Sequence, residues 1–100
     1  MPELAKRKLI IGNWKMNGSV ELVRATADEM RSALPELRCE LVLCPPSTLV
    51  SEAARALVGS PVRVGGQDCH CDSKGPHTGD VSAAMLSEAG AVWVILGHSE

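Results

Sequence analysis

In "IIGNWKMNG" (residues 10–18) a run that begins as a buried β-strand puts Asn13, Lys15 and Asn17 where apolar residues should continue. In "VWVILGHSE" (92–100) an apolar run ends in the same way, on His98, Ser99 and Glu100. An ammonium neutralises an anion, and a side-chain amide donates to a carbonyl or enolate oxygen. Ser99 suits the cap of a helix that would follow it. An imidazole beside a helix N-terminus is held neutral by the dipole, and its ring N–H can then polarise a carbonyl. The chemistry these groups share is stabilisation of an oxyanion on an anionic substrate. Each has a structural alternative: Lys15 extending into water, Asn13 closing a turn, His98 hydrogen-bonded at a strand end.

These side chains act together only if the chain brings them to one rim. The pattern is strand, helix, strand, helix, strand, long loop, helix, strand. We expect strands at 9–14, 40–44, 62–64 or slightly beyond, and 92–96. Ser19 caps a first helix with Val20, Val23, Ala27, Met30 and Leu34 on one stripe, ended by Pro35. Pro45 and Pro46 stop the second strand, because neither donates a ladder hydrogen bond. Ser47 or Thr48 caps a second helix reaching about Leu57, closed by Gly59. A polar loop spans 65–80, a length that usually marks a functional or disordered segment. Ser82 caps a short third helix ended by Gly90.

Strands apolar on both faces, alternating with helices, define a parallel sheet covered by helices. Ligands of such folds bind at the carboxyl ends of the strands. Alternation along the first strand places Leu9, Ile11, Asn13 and Lys15 on one face, and Ile10, Gly12 and Trp14 on the other. The first face therefore runs from apolar core into Asn13 and Lys15 at its exit. Four strands with no covering helix after the last leave a bare face and bare edges. We expect residues 1–100 to be the first part of a longer α/β domain, or a piece that needs a partner.

Composition supports a core: 45% of the 100 residues are hydrophobic, with no Phe or Tyr and only Trp14 and Trp93 as aromatics. Packing must come from aliphatic side chains and Met. The net charge of −2, the short basic run Lys6-Arg7-Lys8 and the lack of an aromatic stacking platform argue against nucleic-acid binding. No apolar run reaches the roughly 20 residues of a membrane helix, and the N-terminus carries no secretory pattern. We expect a cytoplasmic protein whose four cysteines are thiols.

"GNWKMN" (12–17), "GPHTGDVSAAML" (75–86) and "ILGHSE" (95–100), in this order and spacing, resemble the triosephosphate isomerase family. The resemblance covers essentially the whole chain. It implies a (β/α)8 barrel of roughly 250 residues, of which this chain is the first half, βαβαβαβ. It implies an enzyme without cofactor. Its reaction interconverts dihydroxyacetone phosphate and glyceraldehyde 3-phosphate through an enediolate, in glycolysis and gluconeogenesis. Lys15 would bind the anionic triose phosphate and stabilise the enediolate, with Asn13 lining the site beside it. His98 would be the neutral electrophile shuttling protons between the substrate oxygens. Glu100 would hold Lys15 by charge, and Ser99 would contact the catalytic base. The family's homodimer implies that loop 65–80 inserts into a partner, with Thr78 and Gly79 reaching the partner's Asn13 and Lys15.

The family's general base is a glutamate on a later strand, which this chain does not include; Glu36, Glu52 and Glu88 sit at no strand end. The 100 residues alone are therefore expected to be inactive. His77, after Pro76, stands where the family often carries an aromatic before the loop threonine. "DCHCD" (68–72), with His77 nearby, suggests zinc, but C-x-C gives its two cysteines poor reach to one ion and no second pair follows. We expect no metal, and thiols in a dimer-contact loop. The alternative function is a non-catalytic half-barrel module that associates to cover its open face.

Overall fold

A computed structural model describes residues 7–33 and 38–100. The end of the first helix at Pro35, with Leu34 of its stripe, and Lys6 of the basic run lie outside the described residues. The order is β1 (Leu9–Asn13), α1 (Val20–Ala33), β2 (Glu40–Cys44), a 3-10 turn (Ser47–Leu49), α2 (Val50–Ala56), β3 (Arg63–Gly66), α3 (Ala83–Ala89) and β4 (Trp93–Val94). The strands form one parallel sheet in the order β1-β2-β3-β4. Sequential strands are neighbours because each returns through a helix, as right-handed βαβ connections require.

Register assigns the two faces. Leu43 pairs with Gly12 and Val64, and Gly66 pairs with Val94. Leu43 and Val64 pack in one buried cluster with Val23 and Ala27 of α1, Val50 and Ala53 of α2, and Leu86 of α3. Leucine-sized side chains of this kind each contribute about 1.5–3 kcal/mol by leaving water. The opposite face carries Ile11, Asn13, Val42, Cys44, Gly65 and Trp93. Val42 and Cys44, on the central strand, are fully buried. Leu9, Ile10 and Ile11 on β1, and Trp93 and Leu96 at β4, are exposed, because β1 and β4 are the sheet's edges.

Helix ends follow local chemistry with one exception. Ser19 Oγ accepts the Leu22 N–H at 3.1 Å. Ser82 Oγ accepts the Met85 N–H at 3.1 Å, and Gly90 closes α3 in the left-handed region at φ 111°. Neither Ser47 nor Thr48 caps α2. Pro46 leads directly into the 3-10 turn, where its own carbonyl accepts the Leu49 N–H at 2.8 Å, so no hydroxyl is needed. The Arg31 guanidinium donates to the carbonyls of Ala56 and Val58, placing a cation at the C-terminus of α2.

Strand limits also differ from expectation. β1 stops at Asn13, although the Trp14 N–H still donates to the Cys44 carbonyl at 3.1 Å. β3 runs on to Gly66, so Gly65 and Gly66 belong to the sheet and not to the loop. β4 spans only Trp93–Val94, flanked by bonds from Val92 N–H to Val64 O (2.8 Å) and from Ile95 N–H to Gly66 O (3.0 Å). It is short because β3 leaves the sheet after Gly66, and nothing remains for Leu96 to pair with.

A Cβ on Gly90 would lie 2.4 Å from the Ala54 Cβ, at a φ that side chains rarely adopt. Gly90→Ala is expected to lower the stability of a protein carrying this segment by about 2–4 kcal/mol, from the left-handed backbone plus overpacking. Urea unfolding would show it as a lower midpoint at unchanged slope.

Candidate active-site rim

The carboxyl ends of the strands lie along one rim, and the chain there is locked by backbone accounting. Lys15 has φ 57°, the one non-glycine residue with positive φ among those described. Its N–H donates to the Asn13 Oδ1 at 2.9 Å. Its carbonyl accepts the Gln67 Nε2 at 2.8 Å, and the same Nε2 reaches the Cys44 carbonyl at 2.9 Å. Asn17 Nδ2 donates to the Trp14 carbonyl at 2.8 Å. One amide from beyond β3 thus ties the exits of β1 and β2 together. With its oxygen occupied, Asn13 presents its NH2 group as a donor. Closing a turn and donating to a ligand are compatible at this residue.

Lys15 Nζ stands 3.4 Å from the Glu100 Oε2, so the rims of the two edge strands meet. Both side chains are about half exposed (57% and 52%), and an ion pair in such a setting contributes no more than about 1 kcal/mol. Its consequence is the aim of the ammonium: Glu100 restrains a long side chain that would otherwise sweep through solvent. Lys15 is therefore neither free in water nor buried. His98 follows Gly97 (φ 72°), and both it and Ser99 are exposed at the same rim. No described hydrogen bond or ion pair joins them to Lys15 or Asn13. Thr78 and Gly79 (φ 92°) are exposed in the loop after β3, which is closed by the Asp80 N–H to the His77 carbonyl at 2.9 Å.

Cys44 lies under this rim. Burial pushes its thiol above the usual 9.0, and a hydrogen bond from the Gly65 backbone partly offsets the rise. It is a neutral packing group and no nucleophile. A Cβ at Gly65 would come 2.8 Å from the Cys44 Sγ and 3.1 Å from Trp93, so only glycine lets β3 pass here.

Gln67 is the rim residue that sequence reasoning missed. Its signal was an amide directly after two glycines at a strand exit, where backbone approaches closely and a short-range donor is useful. Position alone did not say which carbonyls it would reach.

A curved parallel sheet with helices on one face and polar groups at its carboxyl rim defines the α/β-barrel class of protein. The triosephosphate isomerase family model matches residues 8–100. The triosephosphate isomerase of Granulibacter bethesdensis is 53% identical over 96 residues, covering 94% of this chain and 39% of that protein. That of Bartonella quintana is 54% identical over 97 residues, covering 94% and 38%. The crystal structure of triosephosphate isomerase from Bartonella henselae superposes with a TM-score of 0.81 at 47% identity, covering 94% of this chain and 39% of that one. The chain belongs to the triosephosphate isomerase family, and its fold is the first half of the (β/α)8 barrel. It spans 39% of the length of the Granulibacter relative.

Two measurements check the rim. Gln67→Leu removes the donor to two carbonyls and is expected to lose about 1–3 kcal/mol of stability, read by denaturant titration. Cys44 has a raised folded pKa, so the unfolded thiol ionises first. Its stabilising contribution is complete below about pH 9 and is lost as pH rises through the folded value. The fall in stability above about pH 9 should be shallower in Cys44→Ala than in the parent.

Proposed function

We propose that residues 1–100 are the N-terminal part of a single (β/α)8 barrel domain, and that the whole protein is a triosephosphate isomerase. It would interconvert dihydroxyacetone phosphate and glyceraldehyde 3-phosphate in glycolysis and gluconeogenesis, without a cofactor. The observation that carries this is Lys15 at a strand exit, its backbone held by Asn13 and Gln67 and its ammonium by Glu100, in a chain of this family.

The rim suits the chemistry. A phosphorylated triose brings a dianion and a carbonyl. Lys15 attracts the anion and stabilises charge that develops on the enediolate oxygens, in a place already oriented for it. The Asn13 NH2 donates beside it. His98 polarises the carbonyl through a ring N–H and passes protons between the two oxygens. Ser99 steadies the base, a glutamate supplied by a later strand. No phosphate-gripping segment is among residues 1–100, so the chain alone holds half a site and is expected to show no turnover.

We also assign the loop after β3, residues 67–80, to a homodimer contact, with Thr78 and Gly79 directed at the partner's Asn13 and Lys15, and the whole protein to the cytoplasm. Among the described residues no helix is long and apolar enough to cross a membrane. A second function, a non-catalytic half-barrel that associates through its open face, is favoured by the exposed Leu9, Ile10, Ile11, Trp93 and Leu96. Turnover separates the two. In the full-length protein Lys15→Met should cut kcat/KM by about 10²–10³-fold, as loss of an oxyanion-stabilising group does. His98→Asn should cut kcat by about 10²–10⁴-fold. A full-length protein without isomerase activity, or indifferent to both substitutions, favours the module.

A further inference from the structure

The loop after β3 closes on itself through a pair of imidazoles. The rings of His70 and His77 stack with centroids 3.8 Å apart and planes 21° from parallel. Asp72 is bonded to both. Its backbone N–H donates to the His70 Nδ1 at 2.9 Å, and its carboxylate Oδ2 lies 2.9 Å from the His77 Nε2. At its start the loop is tied to the fold by the His70 N–H to Val81 O bond at 2.8 Å and by the His70–Ser82 bridge. Directly after His77 come Thr78 and Gly79, both exposed. The isomerase chemistry proposed above uses none of the side chains of His70, Asp72 and His77.

We propose that His70, Asp72 and His77 form a pH-sensitive clasp, which holds the loop in this arrangement while His70 is neutral and releases it in acid. A ring nitrogen accepts an N–H only through a lone pair, so the His70 Nδ1 carries no proton here. A proton on Nδ1 sets a donor against a donor, and the Asp72 amide must leave. His77 differs. Neutral or charged, its Nε2–H can donate to the Asp72 carboxylate, so this ring tolerates the first proton. A second proton, on His70, would place two imidazolium rings face to face across 3.8 Å with one carboxylate to share. The nearest refuge for that proton is the Asp72 Oδ2, 4.0 Å from Nδ1, and reaching it takes this oxygen off His77. The closed loop therefore binds fewer protons than the open one. By linkage, its stability is complete above the histidine range, about pH 5–8, and is lost as pH falls through it.

Other ionisable groups set how readily the proton arrives, and the hydrogen bond decides what it does. On the loop itself, Lys74 and Asp80 line one cavity with both histidines, and Asp68 and Cys69 line another with His70. The Cys71 thiol faces the remaining Asp72 oxygen at 3.7 Å. The elements packed against the loop add no charge: α3 contributes Ser82 and Met85, and the 3-10 turn contributes Ser47. The carboxylates favour a proton and the Lys74 ammonium opposes it. Both histidines are partly exposed, so solvent protons reach them. Release of His77 frees Thr78 and Gly79, which follow it. That consequence for assembly rests on the dimer contact proposed above; the clasp itself does not.

Residue-resolved hydrogen exchange of the full-length protein at about pH 7.5 and about pH 5, corrected for the intrinsic pH dependence of exchange, tests the clasp. One proton taken up on opening shifts the opening equilibrium by up to about tenfold per pH unit below about 6.5. Protection of the Asp72 amide should therefore fall about tenfold in acid. The His70 N–H, bonded to Val81, should keep its protection, which marks the release as local. His70→Asn keeps an acceptor that can reach the N–H two residues on but takes no proton. Its Asp72 amide should be equally protected at both pH values. Sedimentation under the same conditions reads assembly. Dissociation that accompanies release in the parent and not in His70→Asn carries the clasp through to the interface. Unchanged assembly beside a released Asp72 amide supports the clasp and counts against the dimer contact of this loop. Equal Asp72 protection at both pH values in the parent, the same fall in His70→Asn, or joint loss at the His70 and Asp72 amides overturns the clasp.

Discussion

The carbonyl of Cys44 accepts two hydrogen bonds, from the Trp14 N–H at 3.1 Å and from the Gln67 amide at 2.9 Å. Both of its lone pairs are used, and each bond comes from a different neighbouring strand exit. The rim of this half-barrel hangs on that oxygen. It can serve because the end of β2 is buried between its neighbours, with Val42 and Cys44 inaccessible to solvent. A buried carbonyl cannot turn to water, so it holds whatever donors reach it.

From that anchor the strain at Lys15 becomes understandable. A non-glycine residue in the left-handed region costs about 1–2 kcal/mol, and hydrogen bonds to its two peptide groups offset it. Asn13 takes the Lys15 N–H and Gln67 takes its carbonyl, so the peptide groups on both sides are satisfied only in this conformation. The turn carries the chain out of β1 with the ammonium still over the rim, where Glu100 meets it. Glycines allow the strands to come this close: Gly65 passes Cys44 and Trp93 where no Cβ fits, and Gly66 does the same against Leu86. Burial energy from the helix-covered face supports the strain on the rim, an arrangement often found where a side chain must be aimed.

Much of this was legible in the residues. Alternating strands and helices, Ser19, Ser82 and Gly90 as helix ends, and polar groups at the exits of two apolar runs all depend on short-range periodicity, which a sequence displays directly. The cap of α2 was not legible, because the prolines before it impose a 3-10 turn whose carbonyl makes the hydroxyl redundant. The length of β4 was not, because it depends on where β3 leaves the sheet. Gln67 was missed, and His70 and His77 were legible only as neighbours in the sequence, for one reason: their contacts are made by bends. Gln67 spans 52 residues to reach Lys15, and three consecutive side chains at 70–72 converge only because the chain does not stay extended.

The central claim is that the rim prepares Lys15 for an anionic triose. A crystal structure of the full-length protein with a phosphorylated enediolate analogue tests it most directly. The account requires Lys15 Nζ within about 3 Å of an analogue oxygen, with φ of Lys15 still positive and both Gln67 bonds intact. An analogue bound away from the strand exits, or Lys15 turned into solvent with the analogue in place, would contradict it.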